Sequence, residues 1–228
     1  MARPAGDVIM IGVSVPVVAL TGPRLRGRLH QIAALASVLG VAWLLSDART
    51  DTGVIAACVY GLAMVLLYAT SATYHVYTRS PRARRIMKRL DHSMIYVLIA
   101  GTYTPVCLLA LHGTTRWALL GVVWAGALLG ITFTTLAHDR FRGVCSALYL
   151  VLGWAAVAAV PALARRPDDL LAVALLGGLV YTLGALLFAL HWPRPAARWF
   201  GYHELWHVCS IAAGAAFFVV NLRLIAGA

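Results

Sequence analysis

Three histidines and one aspartate stand out in this sequence because their side chains could bind and use a metal ion. His203 and His207 are four residues apart, which places both imidazoles on one helical face about one turn from each other. His75 lies far away in the chain, four residues after Ser71, and Asp91 follows it. Two histidines from one helix and one from another can supply three nitrogens to a tetrahedral Zn²⁺, with the fourth position left for water.

The composition indicates where these residues must lie. The chain has 228 residues, of which 61% are hydrophobic and 12% are charged, and its mean hydropathy is +0.82. A water-soluble domain carries about 45–50% apolar and about 25% charged residues. The composition therefore excludes a disordered chain, a nucleic-acid-binding arm and an ordinary soluble domain. It predicts an all-α integral membrane protein.

A spanning helix needs about 20 apolar residues, and seven stretches of the chain meet that requirement. They are His30–Ser46, Gly53–Tyr77, His92–Leu111, Trp117–Ala137, Gly143–Leu163, Asp169–His191 and His203–Ala226. The connections are short, so we expect a tail at 1–29 and one seven-helix transmembrane domain at 30–228. Val8–Leu20 is too short to span and contains Pro16, and we interpret it as an interfacial segment and not as a signal peptide.

The basic residues predict the orientation of the bundle. With seven spans, fourteen Lys and Arg fall on one side and five on the other, the five being Arg49, Arg116, Arg165, Arg166 and Arg223. The positive-inside rule then puts the N-terminus in the cytoplasm and the C-terminus outside. We interpret the basic run from Arg79 to Arg89 as a topological anchor beside an anionic leaflet, in preference to a lipid-headgroup or nucleic-acid site.

This topology places the candidate ligands at one depth. The end of the second span and the starts of the third and seventh spans all lie on the predicted cytoplasmic side, so His75, Asp91, His203 and His207 share one level. Ionisable groups within a membrane span are candidates for function. The remaining polar groups are assigned outside the site: Glu204 is expected to face the cytoplasmic interface, and interfacial positions are expected for His30, His92, His112 and His138.

Two smaller patterns are compatible with packing alone. The four cysteines fall inside apolar runs without metal-ligand spacing, and we interpret them as small buried side chains that form no disulfide; they are Cys58, Cys107, Cys145 and Cys209. Gly126-x-x-x-Gly130 is a candidate face for helix packing, although small residues are common throughout the chain.

Five ordered motifs carry a resemblance to a known family. They are Pro23–His30, Ser71-x-x-x-His75 with Tyr74, Leu90–Ser93, Ala100–Pro105 and His203–His207. Along nearly its whole length the sequence resembles the hemolysin III family, part of the progestin and adipoQ receptor (PAQR) superfamily that includes the adiponectin receptors. The resemblance implies a seven-helix bundle with the N-terminus inside and a zinc ion held by His75, His203 and His207. It also implies that Asp91 contacts the water on zinc and that Ser71 lies nearby.

Two functions are open at this stage. The first is a zinc-dependent membrane hydrolase, ceramidase-like, that acts on an amide or ester of a lipid in the cytoplasmic leaflet. Asp91 would act as general base and then as proton donor, and Ser71 would hydrogen-bond a ligand or the developing oxyanion. The second is a cytolytic, pore-forming or receptor-like protein with a structural zinc. In both cases we expect a multi-pass protein of the bacterial cell membrane, with membrane lipids as partners and no nucleic acid. The oligomeric state stays open.

Overall fold

Seven long helices make up the part of the chain that the structure describes. This computed structural model describes residues 25, 27–137, 142–166, 169–193 and 200–228. The helices are α1 (Arg28–Asp47), α2 (Asp51–Tyr77), α3 (Pro81–Ala110), α4 (Gly113–Ala137), α5 (Gly143–Leu163), α6 (Leu170–Ala189) and α7 (Tyr202–Ala226). Each is long and apolar enough to cross a membrane, and the described residues contain no strand. The predicted all-α, seven-span membrane fold is confirmed.

The outer surface of the bundle is apolar, as a bilayer requires. Leucines project outward from several helices, and Leu35, Leu39, Leu129 and Leu136 are each at least 70% exposed. In water such a surface would aggregate, whereas lipid chains cover it at no cost. The chain is therefore a multi-pass membrane protein.

The largest departure from the predicted boundaries is at the start of α3. The basic run was expected to be a connection before His92, but the helix already begins at Pro81. Ser80 caps it by accepting a hydrogen bond from the Ala83 backbone N–H at 3.2 Å, and proline suits the first turn because its missing N–H is not needed there. Arginine, lysine, alanine and methionine are good helix formers, so the helix continues beyond the apolar segment. Hydropathy finds only the apolar part.

The helices pack into one bundle with two apolar clusters. α1 packs on α2, α2 on α3, α3 on α4 and α6 on α7, while α7 also touches α1, α2 and α3. One cluster joins α1, α2, α3 and α7 around Leu44, Tyr60 and Leu67. The other joins α3 through α7 around Tyr96 and Val123. These contacts bring the end of α2 and the start of α7 to one end of the bundle.

The two glycines of the Gly126-x-x-x-Gly130 pattern both lie at close helix contacts. A Cβ on Gly130 would stand 2.3 Å from the Tyr96 ring of α3, and one on Gly126 would stand 2.7 Å from Leu152 of α5. A larger residue at Gly130 would displace the Tyr96 ring, and one at Gly126 would require the Leu152 side chain to shift. The pattern therefore joins α4 to two neighbouring helices.

Two helices are locally irregular. α2 ends in a π-helical turn, Thr73–Tyr77, and α5 passes through a 3₁₀ segment, Ala155–Ala159. The 3₁₀ segment precedes Pro161, which lacks the N–H that an α-helix would direct to the carbonyl of Val157. The regular α-helical hydrogen bonding is interrupted there, and the tighter segment accommodates the proline.

Some predictions from the sequence differ from the structure, and others concern residues that the structure does not describe. All four cysteines are free, but only Cys107 and Cys145 are buried; Cys209 is half-buried and Cys58 is exposed. The prediction that all four cysteines are buried is therefore wrong for Cys58, which lies on an outward-facing side of α2. Val8–Leu20 and the basic residues Arg3, Arg24, Arg26, Arg140, Arg194 and Arg198 fall outside the described residues. The side of the membrane on which each terminus lies stays a prediction.

Candidate metal centre

His75 lies on the widened last turn of α2. The Thr73 hydroxyl donates to the Ala69 carbonyl at 2.7 Å, and the Thr78 hydroxyl donates to the Thr73 carbonyl at 2.9 Å, five residues back. The Ala69 carbonyl also accepts from the Thr73 backbone N–H, so the hydroxyl of Thr73 adds a second bond to it. Single π turns are frequent at functional sites because they turn one side chain out of its α-helical direction. The His75 side chain is 5% exposed.

His203 and His207 lie on the first two turns of α7. Their four-residue spacing puts the rings on one face, with centroids 4.8 Å apart. The helix begins at Tyr202 after Gly201, so both histidines sit at the same end of the bundle as the close of α2. His203 is half-buried and His207 is buried.

The three histidines converge from these two helices. Nε2 of His203 lies 3.2 Å from Nε2 of His75, and one ligand atom from each of the three residues lies within 4.8 Å of the others. The ring pairs meet edge to face, with His75 and His207 at 5.1 Å and 62°. The rings are therefore tilted against one another, and the distances between their ligand atoms show that the nitrogens converge. We call the end of the bundle that holds these residues the histidine end.

A carboxylate and a hydroxyl stand beside the trio. The Asp91 carboxylate on α3 lies 3.8 Å from Nε2 of His75 and 3.9 Å from Nδ1 of His92, and its side chain is 15% exposed. The buried Ser71 hydroxyl of α2 is placed to hydrogen-bond that carboxylate. Asp91 thus lies beside Ser71 with a small part of its side chain exposed, whereas Ser71 itself is covered.

The donor set suits zinc. Zn²⁺ binds histidine nitrogen at about 2.0–2.1 Å in tetrahedral sites, which sets neighbouring ligand nitrogens about 3.3 Å apart. The 3.2 Å between His75 and His203 matches that edge. The trio's largest separation, 4.8 Å, is longer, so the third ring must move inward by about 1.5 Å to reach the same spacing. Three imidazoles without a thiolate form the open type of site, in which a fourth position is left for water or substrate.

Two residues set aside by the sequence analysis lie inside the bundle. Glu204 was expected at the cytoplasmic interface but is fully buried, because its side of α7 faces other helices. His30 was expected to be interfacial but is 4% exposed, with its ring stacked on His207 at 3.9 Å and 16°. The sequence signal for His30 was its place at the end of the Pro23–His30 motif. That motif carries the family resemblance, but the sequence did not connect it with the metal site.

The other described histidines are not among the converging ligand atoms. His112 and His191 are exposed, and the ring nitrogen Nδ1 of His92 contacts the Lys88 carbonyl at 2.8 Å. His92 is 27% exposed, in keeping with the interfacial position expected for it. His138 lies outside the described residues.

Comparison with known proteins agrees with the motifs. Residues 18–218 match the family model described as Haemolysin-III related. Hemolysin-3 of Bacillus cereus is 33% identical over 193 residues, covering 83% of this chain and 85% of that protein. The Hemolysin-3 homolog of Bacillus subtilis (strain 168) is 34% identical over 193 residues, covering 83% and 87%. The human Monocyte to macrophage differentiation factor is 27% identical over 192 residues, covering 82% and 77%.

Proposed function

We propose that this chain, which belongs to the haemolysin-III related family of membrane proteins and is related to the PAQR proteins, is a zinc-dependent hydrolase of a membrane lipid. The bond cleaved is an amide or an ester, as in a ceramidase. The observation that carries the proposal is the convergence of three histidine nitrogens within 4.8 Å, with a carboxylate 3.8 Å from one of them.

Each residue has a role in this proposal. His75, His203 and His207 hold Zn²⁺, which when bound supplies a Lewis acid that polarises a carbonyl and activates water as a nucleophile. Asp91 accepts the proton of the attacking water and delivers it to the leaving amine or alcohol. Ser71 holds the Asp91 carboxylate in orientation. This replaces the oxyanion role expected for Ser71, since its hydroxyl is buried against Asp91.

The position of the site supports a lipid substrate. The histidine end lies where α2 ends and α7 begins, and the orientation predicted from the basic residues would put it near the headgroups of the cytoplasmic leaflet. A groove of about 410 Å³ opens between α1 and α7, lined mainly by apolar side chains such as Leu39, Trp43 and Phe218. Tyr68 lines the groove and also contacts the His30 ring at 5.2 Å. An acyl chain in this groove would lead toward the site.

Metal content and product release test the proposal together. The purified full chain in lipid nanodiscs should carry about one zinc per chain and release fatty acid from a panel of lipid amides and esters. Removal of zinc with a chelator should stop release, and added zinc should restore it. Wild-type protein with far less than one zinc, or with zinc but no lipid product, would contradict the proposal.

The Bacillus relatives support a bacterial plasma membrane as the location.

A second function is favoured by one observation, the name of the Bacillus cereus relative, Hemolysin-3. In this alternative the protein is cytolytic, pore-forming or receptor-like, and its zinc is structural. Release of a dye from liposomes whose lipids stay chemically intact would favour it. Dye release that appears only together with lipid products would instead favour the hydrolase.

A further inference from the structure

The start of α1 is fixed against the end of α2, directly beside the candidate ligands. Gly27, which precedes the helix, has a φ of +78°, a conformation that favours glycine. A Cβ at this position would stand 2.6 Å from Cβ of His75. The backbone of Gly27 therefore packs directly on the His75 side chain. His30, one turn further along, is carried into the bundle by this contact.

His30 meets His207 in a geometry that differs from every contact within the trio. The ligand rings meet one another edge to face at 62° to 77°. His30 and His207 are instead nearly parallel, at 16°, with ring centroids 3.9 Å apart. A stacked ring covers one face of its neighbour and does not itself contact the nitrogens at the ring edge. His30 is therefore placed to hold the ring of His207, which is a candidate metal ligand. His30 itself is not among the three converging residues.

Hydrogen bonds hold His30 in turn. The Ser210 hydroxyl donates its proton to the His207 carbonyl at 2.9 Å. The same hydroxyl oxygen lies 3.2 Å from Nε2 of His30, and the tautomer of His30 decides which of the two groups donates. Tyr68 packs its edge on the His30 ring at 5.2 Å and donates to the Ser210 carbonyl at 3.4 Å. Gly214 makes room for that hydroxyl, since a Cβ there would stand 2.4 Å from it.

A histidine ligand needs such support because its ring torsion is soft. The χ2 angle of histidine has a broad, two-fold distribution, so the backbone of α7 does not by itself direct the ligand nitrogen of His207. We propose that His30 is a positioning residue: its ring, fixed by Ser210 and Tyr68 and stacked on His207, sets the plane of the His207 imidazole and so aims its nitrogen at the metal. This inference rests on the proposed zinc site.

Two substitutions separate the stack from the hydrogen bond. His30→Phe keeps an aromatic ring over His207 but cannot donate to Ser210. His30→Gln keeps a donor but has no ring. The zinc dissociation constant is measured for the full chain in nanodiscs by competition with a chelator. The visible absorption of the Co²⁺-loaded protein reports the ligand geometry independently of turnover.

If the stack sets the plane, His30→Gln weakens zinc binding about 10–100-fold, the range typical for residues that orient metal ligands, and changes the Co²⁺ spectrum. His30→Phe stays within about threefold of wild type on the same scale and keeps the wild-type spectrum. His112 is an exposed histidine at the α3–α4 connection, so His112→Ala is the control. It should change neither the zinc dissociation constant nor the Co²⁺ spectrum.

Three results would overturn the inference. Equal zinc affinity and equal Co²⁺ spectra in wild type and His30→Gln would show that His30 does not position His207. Tight binding by His30→Gln together with weak binding by His30→Phe would assign the effect to the hydrogen bond. Wild-type protein that binds neither ion would remove the zinc site itself, and with it the proposed function, which distinguishes that failure from the other two.

Discussion

The histidine end and the glycine contacts of α4 use buried space in opposite ways. At the histidine end, imidazoles and a carboxylate from different helices face one another, with His75 and His203 only 3.2 Å apart. Around Gly126 and Gly130, helices approach until a single methyl group would collide with Tyr96 or Leu152. In the first region, side chains that could bind a metal lie close together. In the second region, the backbones of neighbouring helices lie close together.

The polar groups of the two regions are satisfied differently. Near the glycine contacts, the Tyr96 hydroxyl donates to the Cys145 carbonyl at 3.1 Å, and the Tyr103 hydroxyl donates to the Leu152 carbonyl at 3.1 Å. The Tyr103 hydroxyl also contacts the Gly153 carbonyl at 2.5 Å, so both hydroxyls are satisfied by backbone carbonyls inside the bundle. At the histidine end, ring nitrogens are directed at other ring nitrogens, which is an arrangement that a shared cation stabilises. Substitutions in the first region should change stability, and those in the second should change metal binding and turnover.

The largest effect is expected from loss of a ligand. His203→Ala should reduce zinc from about one ion per chain to background, because two imidazoles do not complete a tetrahedral site. Lipid hydrolysis should fall to background with it. Metal analysis of the purified protein measures the first effect, and fatty-acid release measures the second. His112→Ala, a substitution of an exposed histidine, serves as the control. Retention of full zinc by His203→Ala would show that His203 is not a zinc ligand.

A large loss of turnover without loss of metal is expected for the carboxylate. Asp91→Asn keeps the shape of the side chain but cannot accept a proton, so the hydrolysis rate should fall about 10²–10⁴-fold while zinc content stays at the wild-type level. Asp51→Asn, an exposed carboxylate at the first turn of α2, is the control. Wild-type turnover in Asp91→Asn would exclude Asp91 as the base.

In the glycine contacts the expected effect is on stability alone. Gly130→Ala places a methyl group against the fully buried Tyr96 ring, and overpacking of this kind costs about 1–3 kcal/mol of unfolding free energy. The midpoint of denaturation in mixed micelles should fall, with zinc content unchanged. Gly121→Ala, whose added Cβ meets nothing within 4 Å, should leave the midpoint near wild type. Loss of zinc in a folded Gly130→Ala would mean that the two regions are coupled.

The smallest effect is expected for Ser71. Ser71→Ala removes one hydrogen bond to Asp91, which is worth about 0.5–1.5 kcal/mol and so corresponds to a decrease in turnover of about 2- to 10-fold. Zinc content should not change. Ser46→Ala, which removes a hydroxyl bonded to the Trp43 carbonyl of α1, is the control. A decrease as large as that of Asp91→Asn would assign Ser71 a direct part in the chemistry.

The parts predicted correctly depend on local composition. Long apolar stretches identified the seven spans because each helix must be apolar along its own length to lie in lipid. The start of α3 was predicted too late, at His92 in place of Pro81, because a charged helix outside the membrane has no hydropathy signal. His30 and Glu204 were misplaced for another reason: burial of a polar residue at a helix end depends on which helix packs against it.

By itself the sequence determined the fold class, the spans and the shared depth of His75, Asp91, His203 and His207, because depth follows from position along a spanning helix. Rotation about the helix axis and the identity of neighbouring helices do not follow from it. Only the tertiary structure decided that α1 packs against α2 and α7, which stacks His30 on His207 at 3.9 Å and aims Ser71 at Asp91. The depth of a residue depends only on its position along its own helix, whereas the residues that contact it depend on how the helices pack.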